Sequence, residues 1–242
     1  MHFFIYILCS LSIYITLQDD LARLCQDPLS AQLGIDCFVN LAKSKQLTYN
    51  LNKSYIIILG NKKARKKLKK SFEENPPKLY GKPMQIVDHQ TYLGEELGFS
   101  ASESITLTIN KRIGLAKRAI NDIITIVEDS RSKMSGSIKT GLLLWNTCVL
   151  PFLLNNSSTW LEMRKNDTSR LEKLQNFFFN RLLGVFKCPV PLMYWDLKAL
   201  TIDNYILKEK LNLYFHLSCL PKTSLSYLIL QIQKSLFLPS IH

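Results

Sequence analysis

The stretch YITLQDDLARL, residues 14–24, decides the fold of the first part of the chain. Over residues 11–18, Ile13, Ile15 and Leu17 alternate with other side chains at the two-residue period of a strand. Two adjacent aspartates follow, and the apolar alternation then resumes. The pattern predicts two strands joined by an acidic turn. An aspartate pair before an apolar run is, taken alone, more typical of a helix cap, so its role depends on the rest of the chain.

The composition favours an intracellular protein that binds polyanions. The 242 residues carry 31 Lys and Arg against 19 Asp and Glu, a formal charge of +12, and 47% of them are apolar. These values exclude a disordered chain and allow one large domain or two small ones. The charge favours nucleic acid first and an anionic membrane surface second. The cysteines fit neither a disulfide framework nor a zinc site, and we predict buried free thiols in a reducing compartment.

The apolar N-terminal run does not have the features of a targeting segment. MHFFIYILCSLSIYITL lacks a basic region and a small-x-small cleavage site, and it is too short and too rich in Ser and Thr for a membrane span. We therefore expect a nuclear or cytoplasmic protein without stable membrane association. A secreted or membrane-attached protein that uses residues 1–17 as a signal or anchor is the competing interpretation, which fractionation of tagged protein would decide.

Residues 1–98 read as mixed α/β and residues 99–242 as a helical bundle, which predicts a predominantly helical α+β fold. In the first part, residues 27–46 are predicted to form a helix capped by Ser30, with Leu33, Cys37 and Leu41 on its apolar face. YIIIL at 55–59 reads as a buried strand. In NKKARKKLKK, residues 61–70, seven of ten residues are Lys or Arg. This segment is either a solvated helix face or a phosphate-contacting helix, and the sequence leaves both open.

The second part begins with the clearest helix, at 101–129. Ser100 and Glu103 have capping-box spacing. The apolar positions step by threes and fours through Ile105, Ile109, Ile113, Ala116, Ile120, Ile123 and Val127. Later helices are predicted at 135–156, with a kink or end at Pro151, from Asp167 to Gly184, and within 189–200 and 202–220. The three tryptophans are predicted in the core, and the FFF run at 177–179 as core plus one rim position.

Two further motifs accompany the aspartate pair. LTYNLNKS at 47–54 sets Lys53 at the start of the predicted strand, where a lysine near a phosphate site stabilises charge or donates a proton to leaving pyrophosphate. TYLGEEL at 91–97 contains Tyr92-Leu93-Gly94 at a predicted hairpin turn. Taken singly, the first is an ordinary loop lysine and the second an ordinary turn.

In order and spacing, the three motifs resemble those of the reverse transcriptases of non-LTR (LINE-type) retrotransposons. LQDD at 17–20 looks like the x-x-D-D palm motif, although Leu17 departs mildly from the family pattern. LTYNLNKS resembles the L-x-x-N-x-x-K-[ST] motif, and YLG at 92–94 resembles the primer grip. The later helical segment is similar to the region after the palm, and the resemblance covers roughly residues 15–220.

The resemblance implies a partial polymerase palm with a short antiparallel sheet at 1–98 and an all-α, thumb-like helical region at 99–242, both from an RNA-directed DNA polymerase that uses two metal ions. Asp19 and Asp20 would then be catalytic and hold Mg²⁺, with Lys53 near the triphosphate. Tyr92, Leu93 and Gly94 would touch the primer. Lys111, Arg112, Lys117 and Arg118 would contact phosphates of the RNA template and DNA primer without reading sequence.

One departure concerns the metal site. A palm needs another aspartate on an earlier strand, and residues 1–18 contain no Asp or Glu. We therefore expect a fragment without the fingers and the first catalytic palm strand, with weak or absent Mg²⁺ binding and no polymerase activity by itself. The alternative function is a basic helical nucleic-acid-binding module without catalysis.

Overall fold

The structure is a computed structural model that describes residues 2–7, 14–17, 20–131, 137–160, 162–185 and 188–237. For residues 2–7, 14–17, 20–22, 129–131, 137 and 233–237 the description covers the backbone only. The fold is predominantly helical α+β, as predicted. The chain divides into two compact units, Met1–Thr108 and Ile109–His242. This division falls inside the long helix 101–131, whereas the predicted boundary at 98/99 lies just before it.

The first unit contains the strands and two helices. The strands are β1 (His2–Ile7), β2 (Tyr14–Leu17), β3 (Asp20–Cys25), β4 (Tyr55–Ile58), β5 (Lys78–Leu79), β6 (Lys82–Pro83), β7 (Gln85–Val87), β8 (Gln90–Tyr92) and β9 (Glu95–Leu97). The helices are α1 (Pro28–Ser44) and α2 (Lys62–Glu74), and a 3-10 turn spans Leu51–Lys53. The long helix α3 (Ala101–Arg131) begins in this unit.

The helices that follow α3 belong to the second unit. They are α4 (Ser137–Leu144), a π turn (Trp145–Val149), α5 (Leu150–Leu153), a 3-10 turn (Ser157–Thr159), α6 (Lys165–Leu183), α7 (Val190–Leu197), α8 (Ile202–Cys219) and α9 (Leu225–Phe237). The predicted helix at 135–156 thus contains a π turn just before Pro151. The nitrogen of Pro151 has no hydrogen to donate to the carbonyl of Thr147, so the regular hydrogen-bond ladder cannot continue there.

One five-stranded sheet, in the order β2-β3-β1-β4-β7, organises the first unit. β2 and β3 pair antiparallel, and their register ends at Leu17 opposite Asp20. The predicted strand, acidic turn and strand are confirmed as far as the described residues reach, since residues 18 and 19 lie outside them. β1 pairs parallel with both β3 and β4, and β4 pairs parallel with β7. The prediction of an antiparallel sheet is therefore wrong for the main sheet, because only its β2–β3 pairing is antiparallel among the described strands. The pairs β5–β6 and β8–β9 form separate hairpins.

Strand β4 divides the apolar side chains of this unit between the two faces of the sheet. Ile56 and Ile58 belong to a cluster with the buried side chains of α1 and α2, among them Phe72. Ile57 faces the other way and packs with Tyr92 and Leu97 of the β8–β9 hairpin. This alternation is the two-residue period of a strand buried on both sides. The prediction of a buried strand at YIIIL is therefore confirmed.

The N-terminal cap of α1 differs from the predicted one. Asp27, not Ser30, is the capping residue, and its carboxylate accepts the backbone N–H of Ser30 at 2.8 Å. The Ser30 hydroxyl accepts the backbone N–H of Asp27 at 3.2 Å, which completes a capping box. The helix begins at Pro28 because proline suits the first helical position, where no N–H is needed.

The buried face of α1 also differs from the predicted one. Leu33 and Leu41 are 61% and 53% exposed, whereas Ala31, Gly34 and Ile35 are buried. The i, i+4, i+8 spacing was misleading because Ala31, Ile35 and Phe38 offer a second apolar face, and that face packs in the core. A Cβ at Gly34 would overlap the guanidinium of Arg23 on β3. A larger residue at this position would therefore displace the Arg23 side chain.

Helices α3 and α6 follow their predicted patterns. Every apolar position of the α3 stripe from Ile105 to Val127 is buried. The Ser100 hydroxyl accepts the backbone N–H of Glu103 at 3.2 Å, as capping-box spacing predicts. In α6, Leu171, Leu174, Phe178 and Leu182 are buried, and the helix ends at Gly184 with φ of 70°. Its start differs from the predicted cap at Asp167: the helix begins at Lys165, and Asp167 lies in its first turn.

Aromatic residues form the centre of the second unit. Trp145 stacks on Phe178 with ring centroids 4.9 Å apart, and Trp160 is also buried. The core prediction is confirmed for these two tryptophans and wrong for Trp195, which is 82% exposed. Phe178 and Phe179 are buried while Phe177 is 47% exposed, so the FFF run has the predicted rim position. Cys37, Cys148 and Cys219 are exposed, contrary to the prediction of buried thiols.

A pair of glycine substitutions tests the packing of α1 on β3. Gly34→Ala is expected to lower the free energy of unfolding by about 1–3 kcal/mol, because the added methyl displaces the buried Arg23 side chain. Gly114→Ala, in α3 with open space around its Cβ position, is expected to raise it by about 0.5–1 kcal/mol. Urea unfolding of both variants checks the signs, and a stabilised Gly34→Ala would contradict the close contact.

Candidate nucleic-acid and metal site

Three parallel strands begin at one edge of the sheet, and predicted catalytic residues belong to that edge. β1 pairs with β3, with His2 opposite Asp20. β1 also pairs with β4, with Phe4 opposite Tyr55. Asp20 is the first residue of β3, and Lys53 lies just before β4. Because parallel strands run in the same direction, Asp20 and Lys53 come to the same edge of the sheet.

The strand order gives the approximate separation of the two strand starts. β1 lies between β3, which begins at Asp20, and β4, which follows the 3-10 turn that contains Lys53. Neighbouring strands are about 4.8 Å apart, so the starts of β3 and β4 are about 10 Å apart. Groups carried by two such strands can contact different atoms of one triphosphate. Asp19 and the side chain of Asp20 lie outside the described part of the chain.

The motif LTYNLNKS folds into the 3-10 turn before β4. The Asn50 side chain accepts the backbone N–H of Asn52 at 3.0 Å and caps the turn. The hydroxyl of the fully buried Ser54 donates to the Asn50 carbonyl at 2.8 Å. Asn50 and Ser54 therefore shape the turn, and Lys53 stays exposed in front of the strand. The spacing N-x-x-K-S thus has a local structural reason in addition to any catalytic one.

The YLG motif forms the turn of the β8–β9 hairpin. Tyr92 pairs with Glu95, and both turn residues have positive φ, 50° at Leu93 and 82° at Gly94. This is a type I′ turn, in which the first position favours Asn or Gly. Leu93 adopts the left-handed conformation at a cost of about 1–2 kcal/mol, and its side chain is 42% exposed. Strained, exposed residues of this kind cluster at functional sites.

Hydrogen bonds hold the β8–β9 hairpin to the start of α3. The Thr91 hydroxyl donates to the Glu96 carboxylate at 2.6 Å. The backbone N–H of Glu96 donates to the hydroxyl of buried Thr108 at 2.8 Å. The position of the Leu93 tip is therefore fixed within the first unit. The motif residues Tyr92 and Leu93 share this unit with Lys53 and Asp20.

The predicted cations of α3 divide into two groups. Lys111, Lys117 and Arg118 are exposed, as a phosphate-contacting role requires. Arg112 is only 4% exposed. Its guanidinium donates to the carbonyls of Leu153, at 3.5 Å, and Asn155, and it lies 5.5 Å from the Trp160 ring centroid. The assignment of Arg112 to phosphate contacts therefore needs correction, because the fold uses its donors.

A cationic groove lies between α3 and α6. Of its lining residues, the sequence predicted a binding role only for Lys117. We call this groove the α3–α6 groove; its volume is about 510 Å³. It is lined by Ile113, Lys117 and Asn121 from α3 and by Arg170, Lys173, Leu174 and Phe177 from α6. The signal in the sequence is the spacing of Arg170, Lys173 and Phe177, which sets them on one helix face. Sequence reasoning followed the apolar stripe of α6 and did not examine this face.

Helix α2 carries the densest positive charge. Its capping residue Asn61 accepts the backbone N–H of Ala64 at 2.9 Å. Phe72 is buried and Leu68 packs against the same core, so the two apolar residues of this basic helix lie on its inner side. Arg65 lies over the Phe99 ring at 4.1 Å and pairs with Asp88 at 3.6 Å. The lysines of α2 are exposed, which fits both a solvated face and a phosphate-contacting one.

Comparisons with protein-family models, curated proteins and solved structures give no match. Within the described residues, no helix is long and apolar enough to cross a membrane. The described side chains contain no group of three or more His, Cys, Asp and Glu placed to hold a metal ion. That statement does not extend to Asp19 or to the Asp20 carboxylate, so the metal prediction stays a prediction.

Neighbouring substitutions in α3 separate the structural cation from an exposed one. Arg112→Met is expected to lower the free energy of unfolding by about 1–3 kcal/mol, because it leaves the Leu153 and Asn155 carbonyls without their donor. Lys111→Met changes an exposed side chain and is expected to stay within about 0.5 kcal/mol of the wild type. Chemical denaturation measures both values. Equal, small effects would contradict the structural role of Arg112.

A second pair tests the strain at the YLG turn. Leu93→Asn is expected to raise the free energy of unfolding by about 1 kcal/mol, because Asn tolerates the left-handed conformation. Tyr80 also has positive φ, at 54°, but its hydroxyl accepts the Tyr49 backbone N–H at 2.9 Å. Tyr80→Asn loses that bond and is expected to lower the stability by about 1 kcal/mol. Thermal and urea unfolding of the two variants should therefore shift in opposite directions.

Proposed function

We propose that this chain is the palm and thumb portion of an RNA-directed DNA polymerase, a reverse transcriptase of the non-LTR (LINE-type) retrotransposon class. The observation that carries the proposal is the position of Asp20 and Lys53 at the edge of the mixed sheet where the parallel strands β1, β3 and β4 begin. The motifs that contain them are far apart in sequence, and the register of β1 brings them together. An intracellular location, nuclear or cytoplasmic, belongs to the same proposal.

The donor set at this edge fits one magnesium ion better than two. Asp19 and Asp20 offer carboxylate oxygens, the ligands that Mg²⁺ prefers. When bound, the ions of such a site stabilise the attacking 3′-oxygen and the leaving pyrophosphate. A second ion needs a further carboxylate nearby, and β1, the strand beside β3, has the sequence HFFIYI. We therefore expect weak metal binding and no primer extension by this chain.

The other motif residues have roles that their exposure permits. Lys53 is exposed at the sheet edge, where its ammonium group contacts triphosphate oxygens and donates a proton to the leaving group. The exposed Leu93 and Gly94 at the hairpin tip support the primer backbone, and the half-buried Tyr92, which packs against Ile57, holds the hairpin in place. Lys111, Lys117 and Arg118 contact phosphates of the RNA template and DNA primer without sequence preference.

The alternative function is a basic nucleic-acid-binding module without catalysis. The absence of an acidic residue from β1 favours it, as does the cationic α3–α6 groove in the second unit. Both functions predict binding to nucleic acid with a steep salt dependence. They differ in whether a metal ion is bound at Asp19 and Asp20, which is the property to measure.

Iron-directed cleavage measures metal occupancy without requiring turnover. Fe²⁺ replaces Mg²⁺, and with ascorbate and peroxide it cleaves the backbone next to its ligands. In the presence of an RNA–DNA template–primer and a nucleoside triphosphate, cleavage is expected near residues 19–20 and near Lys53. The double variant Asp19→Asn/Asp20→Asn is expected to lose both products, whereas Asp122→Asn, an exposed aspartate of α3, keeps them.

Binding and extension measured on the same samples distinguish the two functions. Template–primer affinity is expected to fall steeply with salt, by about 0.9 in log K per phosphate neutralised for each tenfold rise. The aspartate variants are expected to bind as the wild type does. Binding without cleavage at 19–20 would select the module, and robust primer extension would overturn the expectation that this chain is inactive.

A further inference from the structure

The α3–α6 groove combines three cations with an exposed aromatic ring. Lys117 from α3 and Arg170 and Lys173 from α6 supply the charge, and no acidic residue is among its lining residues. Phe177 is 47% exposed although its neighbours Phe178 and Phe179 are completely buried. An exposed phenylalanine beside converging positive charges fits a ligand that offers both phosphates and flat apolar faces.

One cation of the groove is held in place by a buried carboxylate. Asp167 is 1% exposed and lies in the first turn of α6. Its Oδ1 atom lies 3.4 Å from Nη1 of Arg170, so the buried charge is paired and the guanidinium is oriented. A guanidinium has five N–H donors, which leaves the others for a phosphate. Arg170 is therefore better ordered for phosphate binding than a free surface arginine.

We propose that the α3–α6 groove binds an unpaired nucleic-acid strand, with a base stacked on Phe177 and the adjacent phosphates on Lys117, Arg170 and Lys173. A duplex keeps its base faces inside the helix, so its sides offer phosphates to the groove but no face to the ring. Stacking on an exposed aromatic beside a cationic track is the mode by which proteins hold single strands. The inference rests on the proposed nucleic-acid binding but needs no metal site.

The amide of Asn121 completes the groove at its α3 side. It has donors and an acceptor, and it lies on the same wall as Lys117. A single amide beside a stacked base can contact a base edge or a 2′-hydroxyl, whereas phosphate contacts do not distinguish RNA from DNA. The groove therefore binds the unpaired strand of either nucleic acid, and Asn121 is its candidate contact for any preference between them.

Binding measurements on three probes test the proposal. The probes are a 12-nucleotide oligoadenylate RNA, its DNA equivalent, and a blunt RNA–DNA hybrid without overhangs. Phe177→Ala is expected to weaken binding of both single strands about tenfold and to leave hybrid binding within about twofold. Lys117→Gln and Lys173→Gln are each expected to reduce the salt slope by about one phosphate contact. Asn121→Ala is expected to change only the ratio of RNA to DNA affinity.

Matched controls separate the groove from the general surface. Phe152 on α5 has a similar exposed fraction to Phe177, 42% against 47%, and does not line the groove. Phe152→Ala is therefore expected to bind all three probes as the wild type does. Lys139→Gln on α4 serves the same purpose for charge. Equal losses in the Phe177→Ala and Phe152→Ala variants would overturn the assignment to the groove.

Fluorescence supplies a signature that a merely structural role of Phe177 would not give. In a Trp195→Phe background the remaining tryptophans, Trp145 and Trp160, are buried. Phe177→Trp then adds one exposed indole, which is expected to be quenched by the single strands and not by the blunt hybrid. If the blunt hybrid binds but the single strands do not quench the indole, the groove proposal is overturned and the proposed function still stands. If the wild type binds none of the probes, both proposals are wrong.

Discussion

The position of β1 between β3 and β4 is the constraint on which the candidate site depends. β1 is the parallel partner of both strands, and its register brings Asp20 and Lys53 to one edge. Without this strand, an acidic hairpin and a capped turn would be unrelated surface features. β1 also has an entirely non-acidic sequence, so the strand that assembles the edge adds no carboxylate to it. The strand that brings Asp20 and Lys53 to one edge therefore does not supply the further carboxylate that a second metal ion would need.

The parts of the fold that depend on one repeating pattern were predictable. The stripe of α3 was found completely, because seven apolar positions at helical spacing leave little ambiguity about the buried face. Helix α1 shows the opposite case. Its buried residues Ala31, Ile35 and Ala42 follow helical spacing, but the exposed Leu33 and Leu41 follow it as well. The contact with β3, where Arg23 lies against Gly34, distinguishes the two faces, and a local period alone does not.

The same limit applies to the binding residues. Lys111 and Arg112 are adjacent cations in one helix, yet one is exposed and the other binds carbonyl oxygens in the interior. Helical rotation separates adjacent side chains by about 100°, which turns Arg112 toward the buried side of α3, three residues after Ile109. The carbonyls of Leu153, at the end of α5, and of Asn155 beyond it then accept its donors. The order of the motifs, in contrast, was readable, since each motif folds locally into a turn or strand end. The α3–α6 groove was not predictable in this way, because its lining residues come from two helices that are far apart in the sequence.

The positive charge of the chain is divided by residue type. Arg23 and Arg112 are buried, and Arg65 is held by an aromatic ring and a carboxylate, whereas the lysines of α2 and α3 are exposed. Guanidinium groups are weakly hydrated and have planar donors that suit buried carbonyls and ring faces, while ammonium groups retain their water. The formal charge of +12 therefore overstates what a polyanion meets. The exposed positive charge of the described residues is mainly that of the lysines, together with Arg118, Arg164 and Arg181. For the proposed binding of nucleic acid, the arrangement of this charge along α2, α3 and α6 matters more than its total.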